Sequence, residues 1–189
     1  MGDKLSDAIG PALRRSFDDT PVRLRSLRDV VDGLKAKQVR NRDGVADVDK
    51  PADKPGPVRI DEAGTFSELK KRETPHDGLQ HDHIPSAAAL VRAQELAEGG
   101  KLSAADRAAI RRNGVAVEVS DQIHSQSRTY KGRNSPHQIA MDASDLRAAM
   151  ERDVSVYRAN LENESRLTSG EIDSVMQQIR ELNMKRGIG

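Results

Sequence analysis

Apolar residues recur along this chain at helical spacing in its second half and at strand spacing in two short stretches near the middle. Leu146, Met150, Val154, Tyr157 and Leu161 fall on one face and predict a long amphipathic helix over 143–161. Thr168-x-x-Glu171 is a capping box that opens a last helix carrying Ile172, Val175, Met176, Ile179 and Leu182, with Gly187 as its stop. Earlier, Ser86 caps an Ala-rich helix with Ala89, Leu90, Ala93, Leu96 and Ala97, ended by Gly99-Gly100. Ser103-x-x-Asp106 starts another, which runs to about Arg112 and stops at Asn113-Gly114. Val115-Ala116-Val117-Glu118-Val119 is the clearest strand, and 79–84 reads as a second one ended by Pro85. Residues 64–69 predict a short strand or turn, 70–77 a charged loop, and 120–136 a polar loop.

The N-terminal third reads differently. Leu5, Ala8, Ile9, Ala12 and Leu13 share one face of a helix over 3–16 that Pro11 interrupts. Thr20-Pro21 starts a second helix, with Leu24, Leu27, Val31 and Leu34 on one stripe, ending near Arg40. Residues 41–63 are rich in Asp, Lys, Pro and Gly, with few apolar groups to offset ordering entropy, and predict a flexible linker. The expected organisation is an N-terminal helical segment for docking or delivery (1–40), a linker (41–63), a catalytic domain (64–161) and a C-terminal helix (162–189). The expected fold class is α+β: mostly helical, with a small sheet or hairpin forming a metal-binding catalytic centre.

Composition narrows the chemistry. Aromatics make up 2% of the chain, so the core must be built from Leu, Ile, Val, Ala and Met, which predicts modest stability. A net charge of +1 argues against a uniformly basic coat and leaves room for a local basic patch. The absence of cysteine excludes disulfides, thiolate zinc sites and a cysteine nucleophile. No apolar run reaches the roughly 20 residues that span a bilayer, and the start lacks the apolar stretch of a secretory signal. Export would therefore use a specialised machine or a fused carrier.

Three of the five histidines lie in His76-Asp77-Gly78-Leu79-Gln80-His81-Asp82-His83-Ile84-Pro85-Ser86. On a strand, alternation sends His81 and His83 to one face and Asp82 to the other; a twist beside Pro85 would let Asp82 and His83 serve one site. An Asp-His pair suits metal-assisted hydrolysis, the carboxylate holding a divalent cation and the imidazole taking a proton from water near neutral pH. Further ligands must come from distant sequence: His124 first, then Asn134 and His137. Between them, Ser125-Gln126-Ser127-Arg128-Thr129-Tyr130-Lys131-Gly132-Arg133-Asn134 mixes three cations, several hydroxyls and one aromatic ring, which suits phosphate contacts and base stacking. A structural zinc site or a pH-sensitive loop would also account for the histidine cluster.

Asp82-His83-Ile84-Pro85-Ser86, preceded by Gly-Thr-Phe-x-x-Leu at 64–69, resembles the His-Me finger (HNH-like) nuclease toxin domains of bacterial polymorphic toxins and secretion-system effectors. His124-Ser125-x-Ser127-Arg128-Thr129-Tyr130 and Gly132-Arg133-Asn134 are similar to the second half of such domains. The resemblance covers about 64–161. It implies that Asp82 is a metal ligand, His83 the general base and His124 a further ligand, and it implies a cognate immunity protein. The interval from His83 to His124 departs from the compact finger because it holds two predicted helices, and the 143–161 helix carries no histidine.

The resulting expectation is a metal-dependent endonuclease, foremost a DNase, acting as an antibacterial toxin. His83, Arg128 and Asn134 form the catalytic set; Asp82, His124 and His81 hold Mg²⁺ or alternatively Zn²⁺. Ser127, Tyr130, Lys131, Arg133 and His137 bind substrate. Expected partners are nucleic acid, the immunity protein, and a secretion machine or carrier engaging the N-terminal helices. The protein would be made in a bacterial cytoplasm and act in the cytoplasm of a target cell. Two rivals stand beside this reading: a metal-independent ribonuclease using His83 and His124 as acid and base, and a non-catalytic metal-binding interaction or adaptor module.

Overall fold

The structure, a computed structural model, describes residues 56–189. The helices expected at 3–16 and 20–40, and most of the expected linker, lie outside the described residues. Among the described residues the fold is α+β: seven α-helices around a small antiparallel sheet of order β1-β3-β2. Its strands are β1 (Ala63–Thr65), β2 (Leu79–His83) and β3 (Val115–Ser120). The helices are α1 (Phe66–Arg72), α2 (Ala87–Glu98), α3 (Ala104–Asn113), α4 (Asp121–Gln126), α5 (Pro136–Ser144), α6 (Leu146–Glu164) and α7 (Ser169–Met184).

β3 is central because its sequence is apolar on both sides. Val117 and Val119 pack with Met150, Val154, Tyr157 and Leu161 of α6 and Ile172, Met176 and Ile179 of α7. Ala116 points the other way, onto Leu69, Val58 and Phe66. The larger core is thus the one that the two C-terminal helical stripes announce. Ile179 and Met176 have no exposed surface, and truncating either to Ala would cost about 2–5 kcal/mol.

Local chemistry sets the helix ends. Ser86, Ser103 and Thr168 each accept a backbone N–H of the first turn, as their sequence positions predict. Gly99 ends α2 in the left-handed region, at φ +69°. At Gly114 the constraint is a close approach instead: a Cβ there would sit 2.9 Å from the His83 ring and 3.0 Å from Leu90. Only glycine lets α3 hand over to β3 so near that imidazole.

Several expected boundaries differ. The segment read as strand or turn and then charged loop contains α1, opened by a Thr65–Glu68 capping box and carrying only Phe66 and Leu69 as apolar anchors. The expected polar loop at 120–136 contains α4 and a short 3₁₀ turn, Lys131–Arg133. α6 starts at Leu146, where Asp145 accepts the Ala148 N–H, and Ala143 belongs to α5. The end of the expected linker is packed: Val58 is buried, and buried Asp61 accepts the Tyr157 hydroxyl at 2.6 Å and pairs with Arg166 at 2.7 Å. Among the described residues, no helix is long and apolar enough to cross a membrane.

Candidate active site on the edge strand

β2 is an edge strand paired on one side with β3. Register sets His81 opposite Glu118, Asp82 opposite Val117 and His83 opposite Ala116. Strand alternation therefore holds through His83 and separates the dyad onto two faces. The expected twist that would bring Asp82 and His83 to one site does not occur.

On the first face, His81 Nδ1 bonds the buried Glu118 carboxylate, and its Nε2 lies 3.2 Å from Glu73. Burial pushes the Glu118 carboxyl above the usual range, and His81 opposes that push. The Phe66 ring stacks on His83 at 4.9 Å between centroids and meets His81 edge-on at 5.4 Å. His83 Nε2 donates to the Arg111 carbonyl at 3.0 Å. Burial holds the His83 pKa below its ordinary value. His83 is a packed ring with one nitrogen already bonded to backbone, and neither it nor His81 shares a face with Asp82. The arrangement expected from the sequence, with His83 as base and His81 as ligand beside Asp82, would need these side chains on one face, and the register places His81 and His83 on the face opposite Asp82.

On the second face, Asp82 meets His124, whose Nε2 lies 3.9 Å from Asp82 Oδ1. Ser120 makes this meeting possible: as N-cap it turns the end of β3 directly into α4, which returns His124 over β2. The Tyr130 ring lies edge-on to His124 at 5.0 Å. Lys131 Nζ is 4.8 Å from the Tyr130 ring centre and the Arg133 guanidinium 5.8 Å. His124, Tyr130, Lys131 and Arg133 thus form one cationic, aromatic rim beside Asp82. Arg133 is also tied to the chain by a bond to the Ser125 carbonyl. Asn134 ends the 3₁₀ turn, with a buried side-chain oxygen that has no partner. His137 is exposed on the first turn of α5.

Arg128 does not join this rim. Its Nε donates to Asp153 at 2.9 Å and its Nη2 to Asp142 at 2.8 Å. Asp142 has no exposed surface and also accepts from Arg152 and Gln138, each at 2.9 Å. Burial works against its charge, but these bonds hold the Asp142 carboxyl below the usual range. The structure places Arg128 against Asp142 and Asp153 through Nε and Nη2 instead of on the rim, and leaves its Nη1 without a protein partner.

Asp153 brings a second carboxylate behind Asp82. Burial first, and the Asp153 charge second, push the Asp82 carboxyl up to about 7. Burial likewise pushes Asp153 up to about 6, with Arg128 opposing. Asp82, His83, Ser127, Arg128, Asp153 and Asn160 are among the residues that line a cavity of about 10 Å³, the size of one water. Asp153 Oδ2, Asn160 Nδ2 and Arg128 Nη1 are buried there without protein partners. Burial and the neighbouring Asp61 also push the Tyr157 phenol far above its ordinary value, so it stays neutral. His124 is held below its ordinary pKa by burial, with Asp121 opposing, so its imidazole is neutral near pH 7 and free to accept a proton.

Sequence reading missed Asp142, Asp153 and Asn160 because each sits on an amphipathic helix and passes for a solvated position. Asp153 carried a signal: it falls three residues after Met150, inside the apolar stripe of α6. A carboxylate in a core stripe needs a partner.

Over 141 residues the chain is 36% identical to a protein of Dickeya dadantii (strain 3937) named Deoxyribonuclease CdiA. The match takes in 75% of this chain and 4% of that protein, so the chain spans a small part of its relative's length. No family model matches the chain. No solved structure matches it either.

Proposed function

We propose that this chain carries the DNA-cleaving domain of a bacterial toxin, and that phosphodiester hydrolysis takes place at the Asp82–His124 pair. The observation that carries the reading is that pair, 3.9 Å apart beside the Tyr130, Lys131 and Arg133 rim. The likeness to a protein named a deoxyribonuclease supports DNA as the substrate class. In this reading Lys131 and Arg133 hold the phosphate, and Tyr130 stacks on a base. His124, neutral near pH 7, takes the proton from the attacking water. His124 replaces His83 as base because it is the imidazole on Asp82's face.

Asp82 offers oxygen donors beside an imidazole, which suits Mg²⁺, an ion commonly held by one or two carboxylates plus substrate phosphate and water. Among the described residues no three His, Cys, Asp or Glu side chains converge on one point, so substrate phosphate and water would have to complete the shell of any ion held at Asp82. When bound, such an ion would stabilise charge on the phosphate and on the leaving oxygen. Asp82 would hold it, and the Asp153 charge behind Asp82 would add to the attraction for a cation. The toxin reading brings its partners: a cognate immunity protein, and a secretion machine or carrier that takes the domain from the producing cell to the target cytoplasm.

The test is purified protein with plasmid DNA and with total RNA, each in Mg²⁺, Zn²⁺ or EDTA. The expected result is nicking and linearisation of plasmid in Mg²⁺ and none in EDTA. RNA cleavage in EDTA would instead establish the metal-independent ribonuclease. Inert DNA and RNA under all conditions would leave an interaction module.

A further inference from the structure

α3 adds no buried residue to either core. What it presents is charge: Arg107, Arg111 and Arg112, with Ala104 and Ala108, line an open surface depression. Among the described residues none of these three arginines is ion-paired, whereas Arg72, Arg128, Arg152, Arg158, Arg166 and Arg180 each hold a carboxylate. Lys101, just upstream, is exposed as well. The acid on the helix, Asp106, is engaged by the Ser103 hydroxyl at 2.6 Å. The strip also reaches the site: the Arg111 carbonyl holds His83, the residue next to Asp82 on the edge strand.

We infer that Arg107, Arg111 and Arg112 form a second DNA-backbone contact, holding phosphates on the side of β2 away from His124 so that the duplex straddles the edge strand. This rests on the DNA-cleaving reading. It would add to the phosphate grip of Lys131 and Arg133, since Arg128 is turned toward Asp142 and Asp153. Contacts of this kind carry no sequence information and release counterions, each adding about 0.9 to the slope of log affinity against log salt.

The test measures binding of a fluorescent 30-base-pair duplex from 0.05 to 0.3 M salt, in a His124→Ala background that keeps the DNA intact. Arg107→Gln/Arg111→Gln/Arg112→Gln should lower the slope by about 2–3 and weaken binding at 0.1 M salt about tenfold or more. The corresponding triple Lys variant should keep both slope and affinity, and circular dichroism should show the same helix content in all three. A slope lowered by less than one in the Gln variant overturns the inference and leaves the strip as the surface of a protein partner. Loss of binding in the folded Lys variant overturns it too, because charge would not be what binds. The two readings fail separately: wild-type protein that binds through α3 but cuts no DNA sinks the nuclease alone, and cleavage with an unchanged slope sinks the strip alone.

Discussion

Replacing Asp82 with Asn should stabilise the protein while abolishing cleavage. The Asp82 side chain is 16% exposed, and burial together with the Asp153 charge pushes its carboxyl up to about 7 from 3.8. A folded-state pKa above the unfolded value means that the native state binds the extra proton more tightly. The carboxyl therefore costs nothing below about pH 4, and its penalty grows as pH rises and is complete above about 7. The rise from 3.8 to about 7 sets a ceiling of about 4 kcal/mol. The amide must still be buried and solvent reaches part of the group, so the expected gain at pH 8 is about 2 kcal/mol. Urea denaturation of wild type and Asp82→Asn at half-unit steps from pH 4 to 8 measures it. The two curves should converge near pH 4 and separate steadily above pH 5. A variant no more stable than wild type at pH 8, or a difference independent of pH, would refute the claim that the Asp82 charge is held under electrostatic strain. Gained stability with lost cleavage is the expected mark of a site held at some cost to the fold.

Arg128→Met should destabilise the domain by about 3–5 kcal/mol in denaturant, because it leaves Asp142 and Asp153 buried without their shared cation; a change under 1 kcal/mol would show that Arg128 is free for substrate after all. Tyr157→Phe should cost about 1–3 kcal/mol by stripping buried Asp61 of its hydroxyl donor, read as a shifted urea midpoint. Cleavage should fall away on acidification from about pH 7 downward, because the Asp82 carboxyl that would hold the cation is pushed up to about 7 and the His124 base must also be neutral; a rate independent of pH between 5 and 8 would remove both groups from the chemistry.

Much of the architecture was legible where one residue pattern sufficed. The stripes of α6 and α7 spelled the larger core, and Ser86, Ser103 and Thr168 announced their helices. α1 was written in its Thr65–Glu68 box, but two apolar residues gave no stripe to read, and its burial depends on Ala116 and Val58 from elsewhere in the chain. The site shows the same limit. Alternation on β2 separated Asp82 from His83, and the adjacency of the two in sequence suggested a partnership that the pleat forbids. Asp82 and His124 meet only because β3 pairs with β2 and turns at once into α4. The inward turn of Arg128 depends on Asp142 and Asp153 from two later helices, which nothing in the basic stretch around Arg128 could reveal.

The most direct test of the account compares initial rates of plasmid cleavage in Mg²⁺ for wild type, His124→Ala and His83→Ala, with folding checked by circular dichroism. Loss of cleavage by at least about 100-fold is expected for His124→Ala, the size of a general-base contribution, while folded His83→Ala should retain activity within about tenfold. Wild-type cleavage by His124→Ala, with loss confined to folded His83→Ala, would contradict the account and move the chemistry to the other face of the strand.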